Sequence, residues 1–165
     1  MEINAERVIE LVKSVRPLFM DHERASRITV KGAADFVTQV DFLVQERMRS
    51  GLFDMYPQVQ FMGEEKDNRD IDFSGAVWIL DPVDGTTNLI HDFRCSALSL
   101  ALCDRGQMEL GLIYQPYEDE LFLAQRGKGA FLNGNPIHVS SVKDLGQSLI
   151  SIGTSPYNHD LADRN

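Results

Sequence analysis

Residues 78–91 read WILDPVDGTTNLIH. An apolar run delivers Asp81 to the exposed end of a strand. Pro82 fixes the backbone, so the chain is expected to turn back at once and to present Asp84 in nearly the same place. Hard divalent cations take several oxygen ligands at about 2.0 to 2.6 Å, and the two carboxylates with the Val83 carbonyl between them offer three. Gly85 has no Cβ to keep a ligand away, and the amides of Gly85 and Thr86 can point at a phosphate where a helical turn begins. As structure alone, DPVDG is an ordinary turn, because Asp-Pro and Asp-Gly both favour turns. The strand before it and the hydroxyls and amide of Thr-Thr-Asn after it favour a site.

Downstream, short runs rich in Val, Ile, Leu and Phe predict strands at Ser96 to Cys103, Met108 to Tyr114, Glu120 to Gln125 and Ser148 to Ile152; Val59 to Met62 and Val77 to Leu80 precede them. DRGQ and NGNP supply hairpin chemistry, RGKG (126–129) reads as a hairpin turn rather than an anion loop, and strands joined so closely must be antiparallel. Upstream, Asn4 caps a helix with apolar positions Val8, Ile9, Leu11, Val12, Val15, Leu18 and Phe19, kinked by Pro17. A second helix carries Val40, Leu43, Val44, Met48, Leu52 and Met55 on one stripe and ends before Pro57, with Gly51 weakening its last turn. The expected fold class is α+β, a mostly antiparallel sheet packed on two helices. The tail SPYNHDLADRN is polar and stops without a finished element, so the chain looks cut.

The 165 residues suffice for one core and one domain, with 43% hydrophobic content. No apolar run nears the roughly 18 to 20 residues a membrane span needs, and the acidic start MEINAERVIELVK does not resemble a signal peptide. A cytoplasmic protein is expected. A net charge of −9 without clustered Lys and Arg argues against nucleic acid or anionic lipid as a partner. An anionic substrate would therefore need a bound cation, which the abundant acids can hold. Cys95 and Cys103 are eight positions apart, roughly 26 Å along a strand, too far for a disulfide, and are expected as buried thiols of a core strand.

Two further acidic elements lie upstream. GEE (63–65) follows the VQFM strand and by itself reads as a solvated loop, but Glu64 could meet Asp81 and Asp84 if the two strands lie side by side. In DFVTQVD (35–41), N-capping explains Thr38 and much of Asp41. His91 is expected to pack or hydrogen-bond near the turn, since hard divalent cations prefer oxygen.

In this order and spacing the three elements resemble the inositol monophosphatase family, with D-x-V-T-x-x-D, then G-E-E, then W-x-x-D-P-x-D-G-T-x-N-x-x-H. The run GLIYQPYEDELFLAQRGKGAFLNG is similar to the family as well. The resemblance implies the N-terminal half of the family's layered αβαβα fold. Residues 1–165 would then be one N-terminal metal-binding domain, the C-terminal domain being absent. It implies a Mg2+-dependent phosphomonoester hydrolase, most closely an inositol-1-monophosphatase, with two or three Mg2+ ions. Glu64, Asp81, the Val83 carbonyl and Asp84 would bind metal, Asp84 bridging two ions and Asp41 helping to hold a weaker one. Asp84, Gly85 and Thr86 would meet the substrate phosphate. Glu64 and Thr86 would orient a water, polarised by the cation, for in-line attack on phosphorus. Lys31 would lie in a mobile loop near the site. The partners implied are a small phosphorylated substrate such as an inositol phosphate and, in the complete protein, a second copy in a homodimer.

Leu89 and Asp92 depart from the family pattern without touching a ligand, and nothing matches the family's W-D-x-A-A-G motif, which supplies another metal carboxylate. Weak or absent turnover is expected of this chain. Bisphosphate nucleotidases, fructose bisphosphatases and histidinol phosphatases share the metal core and stay open as alternatives. So does a regulatory interaction module of the SuhB type, although such a module has no physical need to keep Glu64, Asp81, Asp84 and Thr86 together.

Overall fold

Asn4 opens the first helix, α1 (Ala5–Lys13), by accepting the Arg7 amide on its side-chain oxygen at 3.1 Å. The apolar stripe then continues, but in separate short helices, α2 (Arg16–Phe19) and α3 (His22–Ala25), rather than in the single kinked helix the periodicity predicts. Pro17 is the reason. It cannot donate within a helix, yet its fixed φ suits the first turn of a new one. The computed structural model describes residues 3–32, 35–64 and 67–151, without the side chains of Lys31 and Asp35.

An antiparallel hairpin follows, β1 (Ile28–Gly32) and β2 (Asp35–Thr38). Its strands are too short to show a period in the sequence. It leads into α4 (Gln39–Met55), where Thr38 accepts the Val40 amide at 3.1 Å and the Asp41 carboxylate accepts the Thr38 amide at 2.8 Å. This reciprocal cap fixes where the helix begins. Val40, Val44, Met48 and Leu52 are buried along it. Gly51 is where α1 crosses closely, since a Cβ there would stand 2.5 Å from Leu11 Cδ1.

The main sheet holds seven strands in chain order: β3 (Gln60–Gly63), β4 (Ala76–Asp84), β5 (Ala97–Asp104), β6 (Gln107–Gln115), β7 (Glu120–Gln125), β8 (Gly129–Leu132) and β9 (Asn135–Ile137). A short helix, α5 (Thr86–Ile90), lies between β4 and β5. From β4 onward neighbours are antiparallel, and the turns carry positive φ at Arg105, Gly106, Gly127, Asn133 and Gly134, as their sequences predict. The exception is β3, which pairs parallel to β4 through a longer connection. One face of the sheet, with Trp78, Leu80, Leu100 and Leu112, forms a core with α1 and α4.

Three expectations are corrected. Only Cys103 is buried; β5 begins at Ala97, so Cys95 stands outside the ladder and is exposed, and both thiols are free. No strand forms over the described part of 148–152. Leu149 and Ile150 are exposed there and no neighbouring edge pairs with them, and β propensity alone makes no strand. Ile152 and the polar tail lie outside the described residues. His91 does not pack; it is exposed at the end of α5. Among the described residues no helix is long and apolar enough to cross a membrane.

Candidate active site

The chain does not turn back at Pro82. Instead β4 runs on to Asp84, with Asp81 opposite Ser99 and Asp84 opposite Ala97, so that three steps on β4 match two on β5. The extra residue is a β-bulge. In a regular strand, residues three apart point to opposite faces. The bulge reverses the alternation after Asp81: Val83 joins Trp78 and Leu80 in the core, and Asp84 returns to the side of Asp81. Pro82, which has no N–H for the ladder, fits at such a place. The turn comes at Gly85, whose φ of 86° leads into α5. A Cβ on Gly85 would stand 3.0 Å from the Cys95 carbonyl oxygen.

Parallel pairing brings the second acid. Gly63 lies opposite Leu80, and the Glu64 amide donates to the Leu80 carbonyl at 3.2 Å, so β3 ends level with Asp81. The Asp81 carboxyl is pushed up to about 7, first by burial, then by the charge of Glu64 and a hydrogen bond with it, and further by the charge of Asp84. The Val83 amide, donating to Asp81 Oδ1 at 3.1 Å, opposes this. Gly63 packs closely on α4: a Cβ there would fall 2.3 Å from Gln45 Oε1, and that side chain would have to move.

The third element meets the others through Thr86. Asp41 is buried, 2% exposed, with Oδ2 accepting from the Thr38 amide at 2.8 Å and its hydroxyl at 2.6 Å. Thr86 Oγ1 lies 2.9 Å from Asp41 Oδ1 and 3.0 Å from the Val83 carbonyl oxygen. A hydroxyl has one proton, and the carboxylate is the stronger acceptor. Asp41 thus holds Thr86, with part of its lone-pair capacity left for another contact. Beside the acids lies a cavity of about 330 Å³, lined by Glu64, Asn68, Asp81 and Ser99 among others.

Glu64, Asp81, Asp84 and the Val83 carbonyl are all hard oxygen donors, the kind Mg2+ and Ca2+ take. Their mutual repulsion, visible in the raised value of Asp81, is what a cation would relieve. As the side chains stand, no three acidic, histidine or cysteine groups among the described residues are gathered closely enough to hold an ion. The donor chemistry fits a metal, and Asp81 feels both of the other carboxylates, through a hydrogen bond with Glu64 and the charge of Asp84. Lys31 stands on β1 of the first hairpin rather than in a loop, and its side chain lies outside the described residues.

A sequence model of the inositol monophosphatase family matches residues 1–165. The chain belongs to the inositol monophosphatase family. Among relatives in that family, the inositol monophosphatase of Dictyostelium discoideum is 39% identical over 150 residues, covering 88% of this chain and 55% of that protein. The extragenic suppressor protein suhB from Bartonella henselae superposes with a TM-score of 0.76 at 32% identity, covering 84% of this chain and 55% of that one. Inositol monophosphate-bound SaIMPase-II superposes at 0.74 with 27% identity, covering 90% of this chain and 54% of that one. The α+β fold is therefore that of inositol monophosphatases. The chain spans about half the length of the curated relatives it matches.

Within this member of the inositol monophosphatase family, the sequence motifs account for the acids but not for the groups that hold them. Ser96 donates from Oγ to the Gly85 carbonyl at 3.0 Å, and Asn88 Nδ2 donates to the Cys95 carbonyl at 2.7 Å, fastening the strap before β5 against the Gly85 turn. Gln45 fills the space beside Gly63. Only the packed fold brings Ser96 to Gly85 or Gln45 to Gly63, so no motif marks them.

Proposed function

We propose that this chain is the N-terminal metal-binding domain of a Mg2+-dependent phosphomonoester hydrolase acting on inositol 1-phosphate or a close relative of it. The observation that carries the reading is the meeting of three separate sequence elements: Glu64 level with Asp81, Asp84 returned to the same side, and Thr86 tied to Asp41. Bound Mg2+ would neutralise phosphate charge and lower the pKa of a water. Glu64, Asp81, Asp84 and the Val83 carbonyl would hold it, and the remaining lone pairs of Asp41 would serve a further, weaker ion.

The chain's own groups then have distinct tasks. Thr86 commits its proton to Asp41, so Oγ1 faces a water with lone pairs and aligns it by accepting its hydrogen. Glu64 would take the proton as the water attacks phosphorus in line, while the opposite P–O bond to the alcohol breaks and the departing alkoxide takes a proton from solvent. The amides of Gly85 and Thr86 donate to the phosphate oxygens, and the αL turn at Gly85 exposes them. No covalent phosphoenzyme is required. The reading includes a cytoplasmic location and, for the complete protein, a homodimer, which gel filtration of the full-length form would contradict by eluting as a monomer.

The test is phosphate release from inositol 1-phosphate, in Mg2+ and in chelator, with Glu64→Gln as control. Mg2+-dependent release that the substitution abolishes supports the reading. Release that is indifferent to chelator or to Glu64→Gln would overturn it. For this chain alone turnover is expected to be weak, because it spans about half the length of its relatives and carries no match to the family's W-D-x-A-A-G motif.

A further inference from the structure

Among the described residues β3 is an outermost strand of its sheet, and no strand there pairs with the backbone groups of Gly63 that face away from β4. Asn68 bonds both. Its Nδ2 donates to the Gly63 carbonyl at 2.7 Å, and the Gly63 amide donates to its Oδ1 at 3.3 Å. A backbone N–H needs an acceptor and a carbonyl a donor, so the pair of bonds fixes which way the Asn68 amide points. One side chain thus stands in for a missing neighbouring strand, at the last residue before Glu64.

The Gly63–Glu64 peptide is consequently clamped from both sides. Its carbonyl is held by Asn68 and its N–H by the Leu80 carbonyl at 3.2 Å. With that plane fixed, fewer backbone rotations are left to carry the Glu64 side chain away from Asp81, with which it hydrogen-bonds. Without Asn68 the strand end would be held from the β4 side alone, and the end of an edge strand is where a ladder frays first. Gln45, packed where a Gly63 Cβ would lie, supports the same residue from below.

We propose that Asn68 is a positioning residue for Glu64, acting through the Gly63–Glu64 peptide to keep the Glu64 carboxylate level with Asp81 for cation binding. The inference rests on the metal reading of the site given above. Asn68 lines the cavity beside Glu64 and Asp81, and its role is exerted on the backbone.

The test is Mg2+ binding by isothermal titration calorimetry on the 165-residue chain. It compares Asn68→Leu, Asn68→Asp, Glu64→Gln and the double variant Glu64→Gln/Asn68→Leu, with thermal melts in chelator to show that each folds. Leu keeps the size of Asn and removes both bonds. Asp keeps the acceptor and loses the donor to the Gly63 carbonyl, while adding a negative charge that by itself would favour a cation. Both single variants are expected to weaken Mg2+ binding by about tenfold, the usual scale for groups that orient a metal ligand. In the Glu64→Gln background, Asn68→Leu should add less than about a twofold further loss, because the two residues act as one unit. Where Asn68→Leu does not fold, Asn68→Asp carries the comparison with the parent. Parent-like Mg2+ binding in the Asn68 variants, with Glu64→Gln impaired, overturns this proposal and leaves the metal reading intact. An equal loss from Asn68→Leu in both backgrounds also overturns it. A parent indifferent to Mg2+, or Glu64→Gln binding as the parent does, overturns the metal reading and this inference with it.

Discussion

Folding changes the chemistry of Asp81. Burial and the neighbouring Glu64 and Asp84 raise it from 3.8 to about 7, so between those values the folded chain holds a proton that the unfolded chain has released. Stability in chelator is therefore greatest toward the acid side of that interval and falls as pH rises through about 7. A cation needs the carboxylate, so Mg2+ and the proton compete. Melts in chelator and in Mg2+ should show a metal-induced rise in Tm that grows as pH rises through about 7 and shrinks below it. Asp81→Asn should flatten the dependence; an unchanged one would place its origin elsewhere. Thr86 is tested differently. Because its hydroxyl is anchored on Asp41, Thr86→Ala should lower kcat by about a hundredfold where release by the parent is measurable, with KM changing less. Thr86→Ser, which keeps the hydroxyl, should retain most of the rate.

At the scale of elements, the site depends on one bulge and one left-handed turn. Had β4 stayed regular, Asp84 would face the core and Val83 the solvent. The extra residue at Pro82 exchanges them, and the αL turn at Gly85 then starts α5 so that Thr86 reaches back to Asp41. Gly85→Ala should destabilise the fold by about 1 to 2 kcal/mol, the cost of a left-handed non-glycine residue, with more from the approach of its Cβ to the Cys95 carbonyl. Urea unfolding would measure this, and an unchanged midpoint would show that the turn can relax. The long helix α4, the strands from β3 to β7 with their turns, and the capping at Asn4 and Thr38 were legible, since each is a local pattern; the break of the first helix at Pro17 and the short strands β1, β2, β8 and β9 were not. The bulge was not, because DPVDG carries turn signals at every position and only pairing with β5 reveals that the strand continues.

At the scale of the molecule, the sheet among the described residues has one covered and one open face. The open face carries Ile113, 50% exposed, and Phe122, 37% exposed, around the small residues Ala101, Gly111 and Ala124. An apolar surface of this kind binds hydrophobic dyes, so 8-anilinonaphthalene sulfonate fluorescence should rise with the chain and fall in Ile113→Ser/Phe122→Ser without a loss of melting temperature. A double variant that binds dye as the parent does would show that the dye reports another surface. The cavity beside Glu64 and Asp81 shares Ser99 and Ala101 with that face, so whatever covers the face also borders the site.

Local sequence was enough to give the acids and their order, the helix α4, the capped start of α1 and the antiparallel hairpins from β5 to β7, because capping, turn chemistry and apolar period act between residues close in the chain. Tertiary structure decided that β3 runs parallel to β4 and so brings Glu64 level with Asp81. It also decided that a bulge returns Asp84 to the side of Asp81, and that Asn68 closes the open edge at Gly63. Each of these depends on register between distant segments, which is set when the sheet is assembled and its faces are buried, and no short window of residues encodes it.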